Sequence, residues 1–385
     1  MNDVVSTTGS ESPSDIMQHS NKDDSISNHR EILTSTFARM TRSDATTLVF
    51  CAVFVVGAAS GIPAQARRQG NPEEFLPANI TQVTAFGERP AWSPDGKRLA
   101  FIGKSFGDAY EIDLETKLVR HLTGHFAHAG FLRVQFLPNG DYVLIGARTF
   151  RDITRTRYED EELWVMKADR SAPPMALDQK VHEGVAISRS RMRIAWSSSN
   201  QQYPDRFPTG ESALYVADII YENGTPKLAN KREILRGRQP ECTIEAQDFR
   251  DDDNYIVYTC YREVGTKADV MGVDLRTGEV KTFRKIADEY NEAEGVSPDG
   301  KWVLVESSHD QGSAERQTFR YIDIWKLGLA SNGKDFVRMT RFGDFEGRKS
   351  ANPVFSPDGK SFAFQAGKAS DPPGVGYGLF IYRMP

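Results

Sequence analysis

Five short segments carry side chains able to do chemistry: His125 and His128 in "GHFAHAG", His182 and Glu183 in "VHEGVAIS", Glu241 in "QPECT", Asn291, Glu292 and Glu294 in "YNEAEGVSP", and Asn352 in "ANPVF". Imidazole nitrogens and carboxylate oxygens together suit a divalent ion, Zn or Mn with the histidines and Ca with the carboxylates alone. The candidate metal set is His128, His182, Glu183 and Glu294. As catalysts, Glu183 or Glu294 would act as general base and His182 or His128 as acid. The alternative is that these groups bond backbone amides at structural junctions or face a water-filled channel. The acidic run "RDDDN" (250–254) has no calcium-loop spacing and reads as a solvated turn.

What must position these segments is a repeated hairpin. "PAWSPDGKRLAFIG" (90–103), "EGVSPDGKWVLVES" (294–307) and "ANPVFSPDGKSFAFQAG" (351–367) each place Ser-Pro-Asp-Gly between two apolar strands. Proline pre-sets the second position of a type I turn, aspartate tolerates the third, and glycine accepts the left-handed conformation that closes it. Looser copies lie at 134–147, 184–198 and 246–260. A third strand follows every hairpin and a fourth follows five of them, so the chain reads as six four-stranded units, the pattern of a six-bladed β-propeller. The last unit stops at Pro385 after its third strand. Its missing strand is expected from "QVTAFGE" (82–88), which matches "RMTRFGD" (338–344) and would close the ring. In that topology the chemical segments meet at one mouth of the central channel, opposite the Ser-Pro-Asp-Gly turns, with Glu183 and Glu294 facing each other.

Three long loops open on the same mouth: 148–162, 199–212 and 308–320. They carry Arg148, Arg151, Arg155, Arg157, Tyr203, Arg206, His309, Asp310 and Arg316, types that bind anionic or sugar-like ligands by charge-assisted bonds and stacking. With Glu241, Asn291, Glu292 and Asn352 these are the candidate ligand-binding residues.

At 385 residues with 39% hydrophobic residues the chain can bury a large core, and its formal charge of −5 with scattered basic residues argues against nucleic acid as a partner. Residues 1–38 are polar and aperiodic and are expected to be disordered, or untranslated if synthesis starts at Met40. Arg39 and Arg42 precede an uncharged apolar run and Ala64-Gln65-Ala66, a secretory signal (39–66) cleaved after Ala66. An uncleaved anchor is the alternative, though the run is short for a bilayer span of roughly 20 residues. Residues 67–78 read as a linker and 79–385 as the propeller, a monomer with no membrane span after cleavage. Cys242 and Cys260 would lie on adjacent strands, a few residues out of direct opposition, which favours two thiols over a bridge.

The Ser-Pro-Asp-Gly-Lys hairpins at 91–103, 295–306 and 353–365 resemble the repeats of TolB-type six-bladed propellers. The fold this implies is all-β and TolB-like, without the α/β domain that precedes the propeller in TolB itself. The resemblance implies a periplasmic or secreted scaffold that engages a protein segment or a carbohydrate. Oligogalacturonate lyases share the repeat type, but they hold a metal with histidines near the last repeat, where this chain has Asn352 and no histidine. Oligopeptidases add a hydrolase domain whose Gly-x-Ser-x-Gly elbow is missing here. A binding module therefore stands first, and a metal-dependent lyase or hydrolase second.

Overall fold

The structure is a computed structural model that describes residues 66–385, apart from 264–265, 313–314 and 373–374. The expected leader (1–38) and all but Ala66 of the expected signal segment (39–66) lie outside the described residues. Six antiparallel four-stranded sheets follow one another along the chain as the blades of a propeller. The innermost strands of blades 1 to 6 are Glu88–Trp92, Phe131–Phe136, Val185–Ile187, Thr243–Arg250, Asn291–Val296 and Arg348–Phe355. Among the described residues no helix is long and apolar enough to cross a membrane.

The repeated turn forms by the chemistry its residues dictate. Ser93 Oγ donates to Asp95 and accepts from Arg98 N (2.9 Å), Lys97 N donates to Asp95 Oδ1 (3.1 Å), and Gly96 takes φ +71°. The same bonds recur at Ser297 and Asp299 and at Ser356 and Asp358, with Gly300 at +70° and Gly359 at +69°. Apolar strand faces pack between blades: Val257 and Val270 of blade 4, for example, lie against Val303, Val305 and Trp325 of blade 5. Burial on both faces is why these strands show little alternation.

Blade 6 takes its outer strand from the N-terminal side, as the sequence predicts. The strand is shorter and earlier than 82–88: Ile80–Gln82 pairs with Leu379–Arg383, Ile80 opposite Tyr382. Thr84 then ends it by accepting Leu379 N (3.1 Å), as Thr123 accepts Ala109 N (3.0 Å) and Thr340 accepts Ile324 N (2.8 Å) in blades 1 and 5. A threonine that satisfies the first amide of the neighbouring strand is thus a second repeated device. Because Ile80 packs on Phe362 and Phe380, Ile80→Asp is expected to cost about 4 kcal/mol by placing a charge at the ring's closure. A urea titration of wild type and variant checks it.

Residues 67–78 lie on the ring: Arg68 bridges Phe345, and Arg67 bonds Glu315 and Gln311 (2.8 Å) with its guanidinium 3.5 Å over the Tyr321 ring. One expectation needs correcting. Cys242 and Cys260 form a disulfide, Cα to Cα 5.0 Å. Ile244 pairs with Cys260, so Cys242 is indeed two residues out of opposition, but it precedes the strand and reaches across the diagonal, within bridging range.

Candidate functional site

Side chains reach the channel because the innermost strands are irregular. Pairing slips between Glu88 and Ala91, Phe131 and Arg133, Ala246 and Asp248, Ala293 and Val296, and Ala351 and Val354. Such bulges re-aim a side chain away from the regular alternation. Arg89, Glu183 and Asn352 hold φ of +55°, +50° and +49°, strained for residues with a Cβ and concentrated where function concentrates. Two cavities result, one of about 220 Å³ at the mouth formed by the blade junctions and one of about 370 Å³ at the turn side. Arg89, Arg133 and Asn352 line both and separate them.

The mouth cavity has a basic half. Arg157 holds Glu183 by two bonds, Nε to Oε1 2.8 Å and Nη2 to Oε2 2.5 Å. Burial alone would raise the Glu183 carboxyl, but the guanidinium overrides it and holds the group below the carboxylate range. Arg89 is only 4% exposed, its Nε has no partner, and its side chain makes no ion pair among the described residues. Burial and then the like charges of Arg133 and Arg157 push its pKa down, against the pull of Glu183 and Glu88. Arg133 Nε also lacks a partner, and its nearest carboxyl is Glu245 at 4.0 Å. His182 is buried and neutral, its pKa lowered by burial, with Nδ1 unbonded.

The other half is acidic in composition and mostly uncharged. The Tyr261 hydroxyl reaches both Glu245 (2.8 Å) and Glu292, and Tyr290 also reaches Glu292. One hydroxyl has one proton to give, so one of the two carboxyls must carry its own. Burial, then neighbouring carboxylates, raises Glu245 and Glu294 well above the usual range and Glu306 to about 7. Glu294 shares a hydrogen bond with Glu306, and Asn352 Nδ2 donates to Glu294 Oε1 (3.1 Å). Two carboxyls this close cannot both ionise.

Of the sequence-predicted residues, the mouth cavity is lined by Arg157, His182, Glu183, Glu292 and Asn352, while Glu294 and Asn352 line the turn-side cavity. Glu183 and Glu294 therefore line different chambers, and Glu183 is bound by Arg157, which lowers its basicity. His128 is not brought to the proposed metal set: its Nε2 lies 2.9 Å from Asp108 at the junction of blades 1 and 2. Glu292, Glu294 and Glu306 instead bring one oxygen each within 4.8 Å of one another. The loop residues are held locally. Arg148 binds Glu162 and Asp178, Arg151 binds Glu159 and Asp160, and Arg155 lies beside Asp152. Tyr203 accepts Lys180 N with Arg206 over its ring, Asn291 binds Arg284 and Ser307, His309 binds Glu289, and Arg316 donates to Gln311 O. Glu241 is exposed.

Arg89, Arg133, Glu245, Glu306, Tyr158, Tyr261, Tyr290 and Lys349 escape the sequence reading. One signal was available: counting back four residues from Ser93, Leu137 and Ser356, equivalent turn positions, lands on Arg89, Arg133 and Asn352. The Arg157 and Glu183 pair carries a prediction. Arg157→Ala is expected to cost about 3–5 kcal/mol, because it leaves a buried carboxylate without its partner. Adding Glu183→Gln should recover most of that, read by urea denaturation of the single and double variants.

No family model matches the chain, and no curated protein matches it. Solved structures do. A TolB-assigned protein of Agrobacterium tumefaciens is 15% identical over 76% of this chain and 78% of that one, TM-score 0.35. TolB of Acinetobacter baumannii is 19% identical over 76% of this chain, TM-score 0.41, and this chain covers 63% of it. An oligogalacturonate lyase in complex with manganese is 15% identical over 79% and 80%, TM-score 0.49. The strand order of the chain itself, six four-stranded blades closed by an N-terminal strand, is the six-bladed β-propeller that its turns predict.

Proposed function

We propose that the protein is an exported, monomeric binding propeller whose channel mouth captures a hydroxyl-rich ligand bearing a carboxylate, an acidic carbohydrate. The observation that carries this is a pair of guanidiniums in the channel: buried Arg89, with no ion pair among the described residues, and half-buried Arg133, whose nearest carboxyl, Glu245, stands 4.0 Å away. Arginine stays charged when buried, and a buried charge is stable only when paired. Glu245 is raised well above the usual carboxylate range, and Glu183, which acts on both arginines, is already bound by Arg157, so the pair is open to a ligand's anion. Around it, Tyr158, Tyr261, Tyr290 and Phe319 offer rings for sugar faces, and His182 Nδ1 and Asn352 Oδ1 are left free for hydroxyls.

Calorimetry with short uronic-acid oligosaccharides and the same sugars reduced to neutral alcohols tests this. The acids are expected to bind at least about tenfold more tightly, the lower end for a charge-assisted contact. Equal binding of acid and neutral sugars would sink the reading. A second reading, a divalent cation such as Mn or Ca on Glu292, Glu294 and Glu306 serving a lyase or hydrolase, draws support from the convergence of those three carboxyls. Hard cations favour such oxygen ligands, and bound ion in protein purified without chelator, together with bond cleavage in the sugar, would establish it over simple capture.

A further inference from the structure

The larger cavity lies at the opposite end of the channel, and its walls are chemically different. We propose that this turn-side opening is a second binding site, for the free C-terminal carboxylate of a peptide ending in an apolar residue. The proposal rests on the reading that Arg89 and Arg133 await an anion, since both guanidinium-bearing residues line this cavity as well. The cavity holds a third arginine, but Arg189 is committed to Asp248 (2.8 Å), Phe249 O and Val296 O. Asp248 is occupied in turn, by Arg189 and by Val296 N (2.8 Å), and Glu294 is hydrogen-bonded to Glu306 and Asn352. The charge left for an incoming group is therefore positive and sits at the floor.

Above that floor the surface changes from tyrosines and acids to prolines and rings. Pro94, Pro138 and Pro357 of three repeated turns stand at the rim, with Trp92, Phe136 and Phe355 beneath them. These groups have no hydrogen bond to give a sugar except Trp92 Nε1, which donates to Val354 O (3.1 Å). They favour apolar side chains. A volume of about 370 Å³ falls within the range of ligand pockets. A chain end is favoured over an internal acidic residue because a carboxylate aimed down a funnel from mid-chain needs room for two strands to leave, and a C-terminus needs room for one. Because Arg89 and Arg133 serve both cavities, the peptide and the mouth ligand should exclude one another.

The test uses fluorescein-labelled Ser-Gly-Ser-Gly-Leu-Leu, as the free acid and as the C-terminal amide, read by polarisation on the mature chain. The acid is expected to bind at least about tenfold more tightly than the amide. Pro357→Glu puts a carboxylate on an exposed rim position; it is expected to weaken the acid at least about fivefold by like-charge repulsion, with the melting temperature lowered by only a few degrees through loss of the turn proline. Saturating uronic-acid oligosaccharide should displace the peptide. Equal binding of acid and amide, or a Pro357→Glu variant that binds like wild type, overturns the turn-side site while leaving the mouth reading standing. A peptide that behaves as expected beside a sugar acid that does not bind overturns the mouth reading alone.

Discussion

Arg89→Gln is expected to make the protein more stable and nearly unable to hold its ligand. The guanidinium is buried, its Nε is unbonded, and two further guanidiniums, Arg133 and Arg157, raise the local potential. Desolvating an ion costs several kcal/mol after relaxation, and the charges of Glu183 and Glu88 offset only part of it at this position. Glutamine keeps the backbone in the same left-handed conformation, φ +55°, so strain cancels between the two chains. Removing the charge should therefore add about 2–3 kcal/mol to the unfolding free energy. The same change should weaken an anionic ligand at least about thirtyfold, the effect of losing one partner of a buried charge pair. Arg89→Lys separates charge from shape: it keeps the cation, loses the planar fork, and should fall between the two in affinity. Denaturation and calorimetry on the three proteins decide it, and a destabilised Arg89→Gln would mean that the guanidinium already has its counter-ion. Opposed effects on stability and binding are what a strained, preorganised site produces.

The ring was legible because its signals are local. Ser93, Asp95 and Gly96 specify their turn within four residues, and three copies of the phrase set the unit length. The missing strand followed from matching "QVTAFGE" to "RMTRFGD", whose threonines, Thr84 and Thr340, perform the same bond. The site was harder because bulges break the alternation that tells inward from outward residues: Arg133 follows a slip after Phe131, and Asn352 precedes one. Nothing in "FLRVQF" marks the arginine as a channel residue until the turn is used as a ruler. Among the loop arginines Arg157 lines the mouth cavity, while two others are hard to weigh from sequence for the opposite reason. Arg148 and Arg151 sit in a charged, flexible-looking stretch, yet "YEDEE" within the same loop supplies carboxylates for both, Glu162 for one and Glu159 with Asp160 for the other. Ring arginines that no carboxylate holds by a hydrogen bond, Arg89 and Arg133, were the better pointer to a ligand.

Raising the pH from 5 to 8 should loosen both the fold and the ligand, through Glu88 and Glu306. Burial raises each from 4.5 to about 7, against Arg89 beside Glu88 and with the charge of Glu292 adding to the rise at Glu306. Below pH 4.5 both residues are protonated in the folded and unfolded chain and contribute no slope. Between 4.5 and 7 the unfolded chain has released these protons while the folded chain still binds them, so stability falls as pH rises. Above 7 both states are ionised and the slope ends. A shift from 4.5 to about 7 corresponds to about 3 kcal/mol for each group by pH 8. Glu306→Gln, which keeps an oxygen for Asn352 N, should be about 3 kcal/mol more stable than wild type at pH 8 and equal to it at pH 4. Affinity follows the same charges: once Glu88 and Glu306 ionise, they compete with the ligand for Arg89 and Lys349, and an acidic sugar should bind at least about tenfold more weakly at pH 8 than at pH 6. In Glu306→Gln part of that dependence should vanish. A wild-type affinity that stays flat across this range would mean that the two carboxyls do not face the bound anion, and the ligand would then have to sit on the turn side of the arginines.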